Sequence, residues 1–350
     1  MTKNIRYKDL ISILGIFILS FSYMMLRVSD LTPLSDELYF FSEDLEKGDR
    51  RWIFTSFVQL VGSFEEALIL VFTINVFLLV PIYFFLLRLN HNNSIITFFQ
   101  MIYLTALTSY ILRDIFVIFL TLLSLILILN YPKSKYRFLY FFMLGVIILI
   151  LSVSKLQYVF FLLTSILVAF MAVRVPKILT ILSLILLIFF LSGYWEPFLN
   201  SLTIYAISMT EFINLKSDRY GYDMNPVGLS FLALRHIFAP IPFSLLERLL
   251  YPDLTHPLIT IDDLYRLVYR TGLYFFIFHI ICNAQIALKF IKNNRFLFFL
   301  ILTMSILNIV TYSIFTGGGG HERNKILSAF IIFVLSSGIM AQKNLLNTKV

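Results

Sequence analysis

Apolar residues run together along this chain in long uninterrupted blocks, separated by short polar stretches. Ten blocks stand out, at roughly 10–26, 67–87, 95–112, 115–131, 138–153, 157–173, 178–194, 271–288, 296–315 and 326–341. Several reach about 18 residues, the length a helix needs to span the hydrocarbon core of a bilayer. Inside lipid every backbone N–H and C=O must pair within its own segment, so such blocks are predicted to be helices. The short alternating segments of a transmembrane barrel are absent. The pattern therefore predicts an all-α polytopic membrane protein, one transmembrane domain over residues 1–350 with about ten spans.

Two polar intervals are long. The first, 27–66, follows the first span; the second, 195–270, is large and late. Within the second, 226–250 is fairly apolar and broken by Pro240 and Pro242. Arg235-His236 at its centre argues against a simple crossing, because charge is costly there. This segment is expected to stay outside, as re-entrant or interfacial helices. Lys3, Arg6 and Lys8 before the first block resemble a signal sequence. No small-x-small cleavage site follows, so the block is read as a retained helix. No internal repeat is visible, which gives no support to an inverted-repeat transporter.

Composition agrees. Of 350 residues 59% are hydrophobic and 14% charged, with a mean hydropathy of +0.87. A soluble domain carries nearer a quarter charged residues. The net charge of +8 could suggest nucleic acid. The basic residues sit instead in short loops between apolar blocks, which is an orientation signal. With both termini in the cytoplasm, the inner segments hold 14 basic residues and one acid, Asp9. That leaves 14 of the 28 basic and 19 of the 20 acidic residues on the outer, periplasmic side. The single cysteine, Cys282, excludes an intrachain disulfide.

The polar constellations fall on the outer side. Asp36-Glu37 follow the first span, Arg113-Asp114 sit at a tight turn between spans, and Lys155 stands between two apolar blocks. The late loop adds Arg219, Arg235 and His236; the last loop carries Gly317–Gly320 followed by His321-Glu322-Arg323 and Lys325. Arginine and lysine are the partners a pyrophosphate needs. Histidine or a carboxylate can take the proton of an acceptor hydroxyl. The catalytic candidates are His321, Glu322, Asp36, Glu37 and Asp114. The substrate-binding candidates are Arg113, Lys155, Arg219, Arg235, His236 and Arg323.

Each has a plainer reading. Asp36-Glu37 also fit a solvated helix start, Arg113-Asp114 an ion pair closing a hairpin, Lys155 a snorkelling side chain, and Gly317–Gly320 a loose turn rather than an anion nest. His279, inside a predicted span, is read as an interhelical hydrogen-bonding group. No phosphate-loop, HExxH or cysteine metal pattern occurs.

With these residues in hand, the chain resembles the bacterial O-antigen and capsule polysaccharide polymerases, the Wzy-type family. The likeness lies in size, span number, richness in Phe, Ile and Leu, and the large late outer loop. The segment Arg235-His236-Ile237-Phe238-Ala239-Pro240-Ile241-Pro242-Phe243 looks like the arginine-then-PxP stretch of some members, and Leu112-Arg113-Asp114 opening a span is similar too. The resemblance implies a GT-C-like membrane glycosyltransferase of the bacterial inner membrane. It would join undecaprenyl-pyrophosphate-linked oligosaccharide repeat units at the periplasmic face, with no metal or nucleotide cofactor. Membrane lipids, a flippase and a chain-length regulator would be its partners, and nucleic acid would not. Arg113, Arg235 and Arg323 would hold the pyrophosphate, and His321 or an outer carboxylate would deprotonate the acceptor. Two rival readings accompany it: a GT-C transferase using a polyprenyl-phosphate monosaccharide, and a transporter or flippase of lipid-linked glycans.

Overall fold

The computed structural model describes residues 6–29, 58, 60–111, 113–131, 136–174, 226–250, 257–316 and 325–347. Among them the regular structure is helical throughout, with no strand. The helices are α1 (Tyr7–Ser29), α2 (Phe64–Leu89), α3 (Ser94–Leu107), α4 (Asp114–Asn130) and α5 (Arg137–Arg174). Then follow α6 (Pro226–Phe238), α7 (Pro242–Leu250), α8 (Pro257–Cys282), α9 (Ala284–Asn293), α10 (Arg295–Thr316) and α11 (Phe330–Asn347).

Four of these helices are long and apolar enough to cross a membrane: α1, α2, α5 and α10. A fifth arises if α8 and α9, bent by 88° at their junction, count as one span. The chain is thus a helical, membrane-embedded protein. The apolar α3 and α4 have only 14 and 17 residues, below the roughly 20 that a perpendicular crossing needs. The predicted span 178–194 lies outside the described residues.

α5 covers the predicted blocks 138–153 and 157–173 as two helical arms that meet at Lys155, whose φ of −161° and ψ of 80° are not helical. An unbroken helix of its 38 residues would be about 57 Å long, nearly twice the hydrocarbon thickness. The polar break divides it into two arms of roughly span length. α8 begins at Pro257, well before the predicted boundary near 271, so Asp262, Asp263, Arg266 and Arg270 stand on a long helix rather than in a loop.

Local sequence fixes the helix ends. The Ser63 hydroxyl accepts from the Glu66 N–H at the start of α2, and the Asn93 side-chain oxygen accepts from the Ile96 N–H at the start of α3. Between them His91 and Asn92 adopt positive φ of 49° and 60°, which tightens the turn. The Asn90 amide then reaches Thr97 and Gln100 at 3.2 and 2.9 Å.

The chain divides into two compact units. One comprises residues 1–162, 242–287 and 332–350, the other 163–241 and 288–331. In the first, α1 packs on α3, α2 on α4, and α3 on α8. Two glycines permit these approaches. A Cβ at Gly15 would stand 3.2 Å from the Phe98 ring, and one at Gly272 would stand 2.7 Å from that of Phe99. In the second unit α6 packs along α10.

Candidate functional site

The break in α5 is braced by charge. A helix interruption strands carbonyls on its N-terminal side, and the Arg113 guanidinium donates to one of them, the Ser154 carbonyl. The Lys155 ammonium stands 3.1 Å from the Asp114 carboxylate, with both side chains largely buried. The same ammonium lies 5.0 Å from the centroid of the Tyr158 ring. Asp114 occupies the first turn of α4, where the helix dipole favours a carboxylate. Three of the residues marked in the sequence, Arg113, Asp114 and Lys155, are therefore brought together by one kink.

A second cluster in the same unit was not marked. The C-terminal turns of α1, the turn after α3 and the N-terminal half of α8 meet through tyrosines. The Tyr23 and Tyr110 hydroxyls are hydrogen-bonded. Tyr265 stacks edge-on against Tyr23 at 5.3 Å and donates to the Leu19 carbonyl at 2.8 Å. Tyr103 and Tyr269 pair at 6.2 Å. Arg27 lies 5.8 Å over the Tyr110 ring and is wholly buried; Arg270 is 1% exposed. Asp263, also buried, takes Arg248 of α7 at 3.3 Å and Arg266 at 3.6 Å, while Asp262 pairs with Arg266. Ionised groups in a low-dielectric interior are expensive and persist only with partners or with a ligand to serve.

Sequence signals for this cluster existed. Asp262, Arg266 and Arg270 recur at four-residue spacing, which places them along one helical face, and Tyr265 and Tyr269 repeat that spacing beside them. Assigned to a loop rather than a helix, they carried no such geometry. Arg27, at the end of the first apolar block, reads as a flanking charge.

The second unit contains a buried polar chain. His236 near the end of α6 is fully buried, and its Nε2 lies 3.1 Å from the Ser328 hydroxyl. Ser328 donates to the Asn308 side-chain oxygen at 2.6 Å. With the hydroxyl proton spent on Asn308, the histidine donates through Nε2. Tyr312 stacks beneath the imidazole at 6.4 Å. Three residues on, the Ala239 carbonyl accepts from the buried Lys325 ammonium. On α10, Ser305, Asn308 and Tyr312 follow at three- and four-residue steps, a polar stripe within an apolar block. The bonds from Lys325 and Ser328 tie the end of α6 to the stretch that immediately follows His321-Glu322-Arg323 in sequence.

The adjacent residues Arg235 and His236 part company. Arg235 is exposed, whereas His236 belongs to the interior. His279 bonds the Ser336 hydroxyl at 2.9 Å, in keeping with its reading as an interhelical group. Asp36, Glu37, Arg219, His321, Glu322 and Arg323 lie outside the described residues. Among the described residues no three His, Cys, Asp or Glu side chains gather closely enough to hold a metal ion. Comparison with known protein families, with curated proteins and with solved structures finds no match.

Proposed function

We propose that this protein is a GT-C-like membrane glycosyltransferase of the polysaccharide-polymerase kind, with about ten spans in a bacterial inner membrane. It joins polyprenyl-pyrophosphate-linked oligosaccharides at the periplasmic face. The observation that supports this most is the pair of buried guanidiniums among tyrosines, Arg27 near the end of α1 and Arg270 midway along α8. Ionisable side chains buried within membrane-spanning helices are functional groups by default. A diphosphate anchored to a lipid tail suits such a place: its charge needs arginine and its tail needs apolar helices.

Cleavage of the sugar–phosphate bond leaves growing negative charge on the pyrophosphate. Fixed guanidiniums stabilise that charge more in the transition state than in the ground state, which is the condition for catalysis. Tyrosine rings offer flat apolar faces and hydroxyls suited to a sugar. The acceptor hydroxyl needs a base. His321 and the outer carboxylates are the candidates, and Asp262 stands in the same unit as Arg27.

The test uses the full chain in nanodiscs, supplied with lipid-linked repeat units extracted from a strain lacking it. Wild type should lengthen the glycan. A charge-assisted hydrogen bond contributes about 1.5–3 kcal/mol, so Arg27→Gln and Arg270→Gln should each slow elongation about ten- to a hundredfold at unchanged protein yield. Elongation at the wild-type rate in both variants would remove the arginines from the proposal. No elongation by any preparation would remove the polymerase reading.

A further inference from the structure

We infer that α7 is an interfacial helix that lies in the outer surface of the membrane, and that the bilayer, rather than protein, covers its apolar stripe. The inference stands independently of the enzymatic reading. With nine residues, α7 is about 13 Å long, far too short to cross. Its sequence divides it into three faces. Leu245 is fully buried and Leu249 half-buried, on the side toward its own unit. Phe243, Leu246 and Leu250, at three- and four-residue steps, form a second side that is 79%, 42% and 67% exposed. Ser244, Glu247 and Arg248 make the third.

A helix with protein on one side, exposed apolar residues on the next and polar residues on the last fits the boundary between headgroups and acyl chains. In water the second face would be an unprotected apolar stripe; deep in lipid the third would carry stranded charge. Attachment to a candidate membrane-crossing helix decides the occupant. α7 packs on α8, and Arg248 joins Asp263 at 3.3 Å. Beside Asp263, Leu264 and then Val268, Phe275 and Phe278 begin an exposed apolar stripe down α8, the span itself. α7 and the helix it packs on thus each expose an apolar stripe, and the stripe of α8 runs along a helix apolar enough to take part in a crossing.

This placement sets a depth for the candidate site. Asp263 stands at headgroup level through its bond to α7, and Arg270 is seven residues further along α8, about 10 Å deeper. Arg270 then lies within the acyl region, below the headgroups.

Spin labels test it. In a Cys282→Ser background, labels at Phe243→Cys, Leu246→Cys, Leu250→Cys, Ser244→Cys and Glu247→Cys are read in phosphatidylethanolamine–phosphatidylglycerol vesicles by collision with oxygen and with a water-soluble nickel chelate. Oxygen partitions into acyl chains and the chelate stays in water, following the polarity gradient that positions such helices. The ratio of oxygen to chelate collisions should be severalfold higher at 243, 246 and 250 than at 244 and 247. Equal ratios at all five positions would place the helix in water. Exclusion of both reagents at 243, 246 and 250 would show protein covering the stripe. Either result overturns the inference.

Discussion

At the scale of single residues, what matters is which charges the fold buries. Sequence reasoning marked Arg113, Asp114 and Lys155 because polar residues between apolar blocks are conspicuous, and the structure gathers all three at one break. It passed over Arg27 and Arg270, because burial depends on where a helix begins and what packs beside it. The arginines differ from lysine in chemistry as well as charge. Arg27→Lys keeps the charge but loses the planar fork, so it should bind diphosphate lipid more weakly than wild type, by about tenfold for each 1.4 kcal/mol lost. Titration of nanodisc-embedded protein with the diphosphate lipid checks this. Another single-residue outcome concerns His91 in the α2–α3 turn. Burial holds its imidazole below the ordinary range, so the folded turn prefers the neutral ring. Stability should therefore fall as pH drops through about 6.5, where the unfolded chain takes up the proton first. Comparing thermal unfolding of wild type and His91→Gln at pH 7.5 and 5.5 should show a smaller loss in the variant.

At the scale of elements, the apolar blocks were readable because lipid demands long unbroken runs, and α1, α2 and α10 answer to them closely. The boundaries of α8 were not, since periodicity cannot tell a loop rich in charge from the polar end of a long helix. Two packing outcomes follow. Gly272 admits the Phe99 ring, which is itself held edge-on against Phe276 at 5.9 Å. Overpacking of this kind costs about 1–3 kcal/mol, so Gly272→Ala should lower the unfolding temperature in detergent. Gly145→Ala, where a Cβ would meet nothing within 4 Å, should not. The brace at Lys155 makes a second case. Removing one partner of a buried pair costs about 3–5 kcal/mol, whereas replacing both by apolar residues is often neutral. Asp114→Leu alone should thus destabilise the protein, and Asp114→Leu with Lys155→Met should restore thermal stability. Glycan elongation by the stable double variant would show the pair to be a brace and no part of the chemistry.

At the scale of the whole molecule, charge sidedness carries the account. Fourteen basic residues and one acid occupy the segments assigned to the cytoplasm, and the buried Arg27 with the Tyr23–Tyr110 pair lies toward the opposite ends of α1 and α3. The helical, membrane-embedded character was legible from composition alone, because nothing but lipid tolerates 59% hydrophobic residues in runs of this length. The second site, His236 with Ser328 and Asn308, was legible only in part. Serine and asparagine on an apolar helix announce themselves by position, but their partner depends on packing. The most direct measurement of the central claim is the length distribution of surface glycan in a strain from which this chain has been deleted. The account predicts that single repeat units still reach the surface while longer chains vanish, and that the wild-type chain restores the ladder. A full ladder in the deletion strain, or the loss of single units as well, would contradict it.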